Sequence, residues 1–264
     1  MQRLTNDEQK KVSLQILREI DRVCKKHGLT YFIAYGTLLG AVRHKGFIPW
    51  DDDIDIWVPI GEYRAFLDAV REDADYAVLD HLTDPDWLKC FSKVSDPATI
   101  MKNGSGEDMA LKPYGVAVDI FPLFPAVKEE AWWEKIGIYK RNLAMIAKSR
   151  AGKYRGLKNL PKRAFVGMFR LFGHKEMYWK KRLWESENEI TSSEYLGCVI
   201  SPYKGKDIHE APAFSERVPM AFEDGIFQAP AGWDRVLGDL YGDYMTLPPI
   251  EKRVSNHEEI AYWL

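Results

Sequence analysis

The feature that most constrains this chain is a run of four aspartates within five positions. The run consists of Asp51, Asp52, Asp53 and Asp55. Neighbouring carboxylates raise one another's pKa values unless a cation lies between them. Because successive side chains of a strand point to opposite faces, a strand over Ile54–Val58 places Asp53 and Asp55 on one face and buries Ile54 and Ile56 on the other. The pattern therefore predicts a strand with paired carboxylates, which Asp51 extends if the strand starts early.

A further aspartate, Asp119, lies in an otherwise apolar run over Val116–Phe121 that also predicts a strand. An unpaired charge is costly to bury, so this carboxylate needs a partner. If the two strands are neighbours, Asp53, Asp55 and Asp119 form a three-carboxylate site in which Asp119 can also act as general base. Such oxygen ligands favour Mg²⁺ or Mn²⁺ over Zn²⁺. We therefore predict a metal site, with Asp51 as a further candidate ligand.

Two other interpretations of the acidic run were weighed. A solvated acidic turn is the common origin of a charge run, but the alternating isoleucines and Asp119 disfavour it. A calcium loop from Asp51 to Glu62 has acids at the first, third, fifth and last of its twelve positions. However, Ile56 stands where that loop needs glycine, and Pro59 interrupts it.

Residues before the acidic run predict a site for an anion. Gly36 and Thr37 follow a predicted strand over Tyr31–Tyr35 and precede a predicted helix, so their amides and the threonine hydroxyl are suited to a phosphate. Arg43 and His44, followed by a lysine, come next. Positive groups beside an acidic cluster fit an anionic substrate bridged to a metal, whereas the alternative is a solvated loop.

The order of the predicted elements indicates an α+β fold with a mixed sheet. A capping box at Thr5 and Glu8 begins a helix that Gly28 ends. We expect a catalytic core over residues 1–127, a mainly helical insert over 128–190, and a segment over 191–264 that returns to the core. The insert has helical patterns over Glu129–Lys148, Pro161–Phe172 and Lys175–Ile190, and the last segment has a hairpin pattern over Phe214–Pro230 and a helix over Trp233–Tyr241.

The formal net charge of −2 conceals a strong asymmetry. From Lys135 to Arg182 there are 15 Lys or Arg residues and one acid, so this segment carries +14 and the rest of the chain −16. The alternatives are a charged outer helix face, a nucleic-acid surface and an anionic membrane surface. We favour the membrane over nucleic acid, with residues 164–172 inserting partially. The polar start of the sequence and three isolated cysteines suggest a cytoplasmic protein.

At several points the sequence resembles the LicD family of phosphotransferases. The resembling segments are Gly36–Gly40, Arg43-His44, Phe47–Asp55, Val118–Leu123 and Tyr241–Met245 followed by Leu247-Pro248-Pro249. The resemblance implies a nucleotidyltransferase-like catalytic core, in which a glycine turn, an Asp-apolar-Asp pair and a later third acid follow one another. Gly36-Thr37, Asp53-Ile54-Asp55 and Asp119 match that order.

The resemblance also implies an activity. Family members move a phospho-alcohol, phosphocholine in the best-known case, from a CDP-linked donor to a sugar hydroxyl and release CMP. For this chain it implies CDP-choline as donor, and as acceptor a glycan (lipopolysaccharide, teichoic acid or capsule) or its lipid-linked precursor. It further implies a cytoplasmic location, peripheral at the inner face of the membrane.

With that resemblance, residue roles are assigned as hypotheses. Asp53 and Asp55 hold Mg²⁺ on the donor diphosphate, and Asp119 completes the site and takes the acceptor proton. The residues expected to contact the nucleotide or the leaving group are Gly36, Thr37, Arg43, His44, Lys93, Arg253 and His257. The alternatives are a nucleotidyltransferase that uses a nucleoside triphosphate and a non-catalytic nucleotide- or membrane-binding relative.

Overall fold

A computed structural model describes residues 1–80, 83–84, 87, 89–104, 113–129, 137, 145–146, 156–171, 193–198, 200–254 and 259–264. The predicted helix over Lys175–Ile190 lies outside the described residues, as does nearly all of the one over Glu129–Lys148. The same is true of most of the basic segment. The domain boundaries at residues 127 and 190 therefore stay predictions.

The secondary structure elements are numbered along the chain. The helices are α1 (Asn6–His27), α2 (Tyr35–His44), α3 (Ile60–Asp73), α4 (Leu160–Leu171) and α5 (Trp233–Tyr241). The strands are β1 (Gln2–Arg3), β2 (Phe32–Ile33), β3 (Ile54–Pro59), β4 (Ala77–Leu79), β5 (Ser92–Ser95), β6 (Thr99–Lys102), β7 (Ala117–Ala126), β8 (Tyr195–Gly197), β9 (Ile208–Glu210), β10 (Arg217–Phe222), β11 (Gly225–Pro230) and β12 (Ile260–Trp263).

The first helix has the ends that its sequence predicts. The Glu8 amide donates to the Thr5 hydroxyl at 3.2 Å, and the Glu8 carboxylate accepts from the Thr5 amide at 2.8 Å, which completes the capping box. Gly28 ends α1 with φ 68°, the left-handed conformation that glycine adopts without a steric penalty. The apolar stripe of α1, including Ile16, Leu17 and Val23, is buried.

The central sheet has the order β2-β3-β7-β5-β4, and the far end of the long strand β7 also pairs with β8, which pairs with β9. Strands β3 and β7 run parallel, whereas the other pairs are antiparallel. Helices α1 and α3 pack against each other and against β3 and β7. The alternating residues of those two strands, Ile54, Ile56, Val118 and Ile120, are fully buried. The predicted α+β fold with a mixed sheet is confirmed.

The C-terminal segment returns to the core by strands that its sequence pattern did not reveal. Strand β8 extends the central sheet, and β12 pairs with both β1 and β6 in a separate three-stranded sheet. The hairpin predicted over Phe214–Pro230 is present as β10 and β11, but it forms its own two-stranded sheet, packed on β2. The helix predicted over Trp233–Tyr241 is α5.

Helix α4 matches the helix predicted over Pro161–Phe172, within one residue at each end. Val166 is buried, while Leu160 and Met168 are exposed, as is Leu157 in the turn before the helix. In the described part of the chain, no helix is long and apolar enough to cross a lipid bilayer.

Candidate active site

The structure brings the two predicted acidic strands together. Asp55 on β3 and Asp119 on β7 are direct partners in the parallel register. Asp53 precedes the first residue of β3 and lies near enough to influence the Asp55 carboxyl electrostatically. The acids thus lie on the sheet face opposite the buried isoleucines. The regular strand over Ile54–Pro59 also excludes the calcium-loop interpretation, which needed a sharp turn there.

The Asp55 carboxyl is the electrostatic centre of this cluster. Its pKa is raised well above the usual range, first by burial and then by the negative charges of Asp53, Asp119 and Asp51. The positive charge of Lys93 opposes this shift. The ionised form of a carboxyl group beside three other carboxylates is stabilised when a cation binds among them.

Lys93 provides part of that positive charge. It lies on β5 directly opposite Asp119, and its ammonium forms an ion pair with the Asp119 carboxylate. Burial disfavours the charged amine, but the charge of Asp119, the Tyr114 hydroxyl, the hydrogen bond to Asp119 and the charge of Glu259 together outweigh it, so the pKa of Lys93 is raised. Lys93 therefore stays protonated and holds the Asp119 side chain in place.

The chemistry of the acidic side chains decides whether they fit a divalent metal ion. Among the described residues, no three His, Cys, Asp or Glu side chains form a ready-made metal-binding group. One of the acids, Asp119, already forms an ion pair with Lys93. Yet the side chains that converge on Asp55 are carboxylates, the hard oxygen ligands that Mg²⁺ and Mn²⁺ prefer. The chemistry of these residues therefore fits such an ion, which Asp53, Asp55 and Asp119, with Asp51 close by, would hold.

Beside the acids lies a pocket of about 110 Å³. Its lining includes Asp52, Asp53, Lys89, Lys93, Tyr114, Asp119 and Glu259. The Lys89 ammonium lies 3.3 Å from the Tyr114 hydroxyl and 4.9 Å from the centre of that ring. Burial, followed by the nearby charge of Lys93, lowers the pKa of Lys89 to about 8. Sequence reasoning missed Lys89, whose one local signal was its position between Trp87 and Phe91.

Thr37 and Gly36 join the start of α2 to the acidic strand. They lie inside the first turn of α2, because the predicted strand over Tyr31–Tyr35 ends at Ile33 and the helix begins at Tyr35. The buried Thr37 hydroxyl accepts a hydrogen bond from the Asp55 amide at 2.9 Å. A β-carbon on Gly36 would lie 2.6 Å from an Asp51 carboxylate oxygen. Glycine therefore lets the Asp51 carboxylate approach the helix, and the phosphate-binding role of this pair stays a prediction.

Of the predicted basic residues, Arg43 and His44 contact each other and Arg253 lies near them. Arg43 donates to the Tyr244 carbonyl at 2.8 Å, and its Nε lies 3.0 Å from His44 Nε2. The Arg253 guanidinium lies 5.7 Å from the centre of the Trp50 ring, against whose edge His44 also packs. Burial lowers the pKa of both Arg43 and His44, and their neighbouring positive charges lower them further. The contacts of Arg43 with Tyr244 and of Trp50 with Arg253 thus link the motif before the acids to the C-terminal segment. His257 lies outside the described residues.

An aromatic group that the sequence did not predict completes the surroundings. Tyr35 packs its ring between Trp57 and Phe121 and donates its hydroxyl to Asp207 at 2.6 Å. Tyr203 stacks on Tyr35, and Tyr241 meets Tyr203 edge to face. The two outer tyrosines are half-buried. In the C-terminal motif, Tyr241 packs on the core while Met245 is exposed.

A mixed sheet that holds paired acids on adjacent strands, behind a helix with a glycine in its first turn, defines a nucleotidyltransferase-like protein. The model of the LicD/FKTN/FKRP nucleotidyltransferase domain matches residues 28–169, more than half of the chain. The chain belongs to the LicD family.

Individual relatives support this assignment. The chain is 29% identical over 271 residues to the lipopolysaccharide cholinephosphotransferase LicD of Haemophilus influenzae, and the match covers all of both chains. Shorter matches, each 48% identical, join it to uncharacterised proteins of Rickettsia typhi over 52 residues and Rickettsia prowazekii over 44 residues. They cover 19% and 17% of this chain, and 17% and 16% of those relatives.

Proposed function

We propose that this protein is a metal-dependent phosphotransferase that moves a phosphocholine-like group from a CDP-linked donor to a sugar hydroxyl and releases CMP. The acceptor is a cell-surface glycan, such as a lipopolysaccharide, or its lipid-linked precursor. The observation that carries the proposal is the direct pairing of Asp55 and Asp119 on parallel strands, with Asp53 and Asp51 close by. The full-length similarity to a lipopolysaccharide cholinephosphotransferase supports the choice of substrate.

The acids have two tasks in this proposal. Asp53 and Asp55 hold Mg²⁺ or Mn²⁺, which when bound neutralises the charge of the donor diphosphate. Asp119 completes the site and accepts the proton of the attacking sugar hydroxyl. A bond then forms between the sugar oxygen and the phosphorus, while the bond from that phosphorus to the oxygen of CMP breaks. The ion pair with Lys93 holds Asp119 in position for this step.

The basic side chains stabilise the negative charge of the departing CMP. Arg43 and His44 contact each other with Arg253 near them, and Lys93 lies opposite Asp119. Positive charge beside the donor phosphates stabilises the negative charge that develops as the bond to CMP breaks. Gly36 and Thr37 contribute at the start of α2, and we assign His257 to the same anion from its place in the motif.

A donor panel tests the proposal. Purified protein is incubated with Mg²⁺, a lipopolysaccharide oligosaccharide and one of CDP-choline, CDP-ethanolamine, CDP-glycerol, CTP or ATP, and nucleotide products are separated by chromatography. We expect CMP from CDP-choline in the presence of acceptor, and its loss on addition of EDTA. Consumption of CTP or ATP without CMP release from any CDP-linked donor would indicate a triphosphate-dependent nucleotidyltransferase. Binding of nucleotide without any turnover would indicate a non-catalytic relative.

We also propose that the enzyme works at the inner face of the membrane. Leu157, Leu160 and Met168 are exposed apolar side chains in and before α4, and three basic residues of the same stretch are exposed among them: Lys158, Lys162 and Arg163. Exposed apolar groups flanked by basic ones are the chemistry with which an interfacial helix binds anionic lipid.

A further inference from the structure

A stack of aromatic side chains lies on the same sheet face as the acids, two residues further along each strand. Trp57 follows Asp55 by two residues, and Phe121 follows Asp119 by two, so all four side chains share a face. The Tyr35 ring covers both aromatic residues, with centroid distances of 4.8 Å to Trp57 and 5.2 Å to Phe121. The outermost layer is Tyr203, stacked on Tyr35 at 5.6 Å and 24°.

The rings of Tyr203 and Tyr241 together form a right-angled corner at the outer end of the stack. The Tyr241 ring is nearly perpendicular to that of Tyr203, at 84° and 5.6 Å, and the two hydroxyl oxygens lie 3.3 Å apart. Both tyrosines are half-buried. Burial raises the pKa of both hydroxyls, and the negative charge of Asp55, which reaches each of them, raises it further. The corner is thus an aromatic surface next to the acidic site.

The other aromatic rings around the acids already carry cations of the protein. Phe91 and Tyr114 each have the ammonium groups of both Lys89 and Lys93 over them, at 4.9 to 5.6 Å. Trp50 has the guanidinium of Arg253. Within the part of the chain that the structure describes, no lysine or arginine lies over the rings of Tyr203 or Tyr241. The rings and the nearby carboxylates attract a cation there, although the Arg43 guanidinium interacts electrostatically with the Tyr241 hydroxyl.

We propose that the corner formed by Tyr203 and Tyr241 binds the quaternary ammonium end of the transferred group. This inference rests on the proposed phosphotransferase function and names the specificity site of that function. Since the acids position the transferred phosphate, a cation joined to that phosphate by a short alkyl chain has to lie near the acids as well. A quaternary ammonium has no N–H to donate, so it is recognised through aromatic surface and negative charge, the two properties of this corner.

Substitutions of Tyr203 test the inference through donor preference. Tyr203→Leu removes the ring, and we expect the kcat/KM for CDP-choline to fall about tenfold, as the loss of one cation–π contact implies. With CDP-glycerol, whose alcohol end carries no positive charge, the change should stay within about twofold, because that donor makes no cation–π contact to lose. Tyr203→Phe keeps the ring and should retain the preference for CDP-choline. Tyr76→Leu, a half-buried tyrosine beside strand β4, is the matched control.

A binding measurement keeps the test independent of how the leucine variant folds. In the wild-type protein, the N-methyl protons of phosphocholine should show nuclear Overhauser effects to tyrosine ring protons. Two results would overturn the corner as the ammonium site and leave phosphotransfer intact. One is an equal loss of activity with both donors in Tyr203→Leu. The other is a wild-type protein that prefers CDP-glycerol to CDP-choline. Absence of CMP release from every CDP-linked donor overturns the proposed function itself, and the inference with it.

Discussion

Asp55 and Asp119 lie directly opposite each other on the neighbouring parallel strands β3 and β7. In a parallel register, paired residues share a face of the sheet, so the two carboxylates are held together by backbone pairing. The Thr37 hydroxyl adds a further constraint, because it accepts from the amide of Asp55 itself. The position of the acidic pair therefore depends on the rigid core rather than on a loop.

Substitution of either member of this pair should abolish transfer. We expect Asp55→Asn and Asp119→Asn to lower kcat at least about a hundredfold, since each removes a charge that the metal and the reacting hydroxyl require. Mg²⁺ affinity, measured by calorimetry, should fall in parallel. Asp68→Asn, an exposed aspartate of α3 that pairs with Arg71, is the control and should retain activity. Wild-type rates in Asp55→Asn would refute the assignment of this site.

The glycine at position 40 should be intolerant of even a methyl group. A β-carbon there would lie 2.4 Å from the Gly46 carbonyl oxygen and 3.3 Å from the Ile48 amide, both backbone atoms. Gly40→Ala should therefore lower the free energy of unfolding by about 1–3 kcal/mol and displace the loop that leads to the acids. Gly61→Ala in α3 meets nothing within 4 Å and should be neutral or stabilising, by up to about 1 kcal/mol. Urea denaturation compares the two, and equal destabilisation would contradict the close approach.

Lys89 should give a stability effect that depends on pH. Its pKa is lowered to about 8, so below that pH the folded protein bears the cost of a charged amine near Lys93. Between pH 8 and the ordinary lysine range, the unfolded chain binds a proton that the folded chain has released, and wild-type stability rises with pH. Lys89→Met should thus be more stable than the wild type at pH 7, with the gain disappearing towards pH 10. Denaturation midpoints at several pH values measure this, and a gain that grew with pH would contradict it.

The exposed apolar residues around α4 should govern binding to lipid vesicles. Replacing Leu157, Leu160 and Met168 by serine removes apolar surface without touching the basic residues between them. We expect the wild type to sediment with vesicles that contain phosphatidylglycerol, and the triple variant to bind at least about tenfold more weakly. Vesicles of neutral phosphatidylcholine provide the control. Equal, background-level sedimentation of the wild type with both kinds of vesicle would refute the membrane proposal.

Local patterns were sufficient where a residue's role is set by its near neighbours. The capping box at Thr5 and the cap at Gly28 predicted α1, and the apolar surroundings of Asp119 predicted a strand. The hairpin and α5 followed from alternation and helical spacing. In each of these cases the interactions that decide the structure are between residues close in sequence, or follow from the two faces of a strand.

The elements and site residues that the sequence pattern did not predict are set by tertiary contacts. Tyr35 ends an apolar run that predicts a strand, yet it adopts φ 42° and begins α2, with its ring set between Trp57 and Phe121. Tyr203 has no local pattern that indicates a site, because its ring partner Tyr35 and the Tyr241 hydroxyl come from distant segments. Strands β6 and β12 have four residues each, too few for the repeated alternation that a longer strand provides.

The pairing of β12 with β6 and β1 has a consequence for how the protein becomes active. Glu259 lines the pocket beside the acids and directly precedes β12, the last of the described elements to be synthesised. Strand β1 is synthesised long before β12, the strand with which it pairs. The part of the pocket wall that Glu259 forms therefore comes into place after the strands that carry the acids. Completion of the site thus depends on pairing between the first and the last of the described strands.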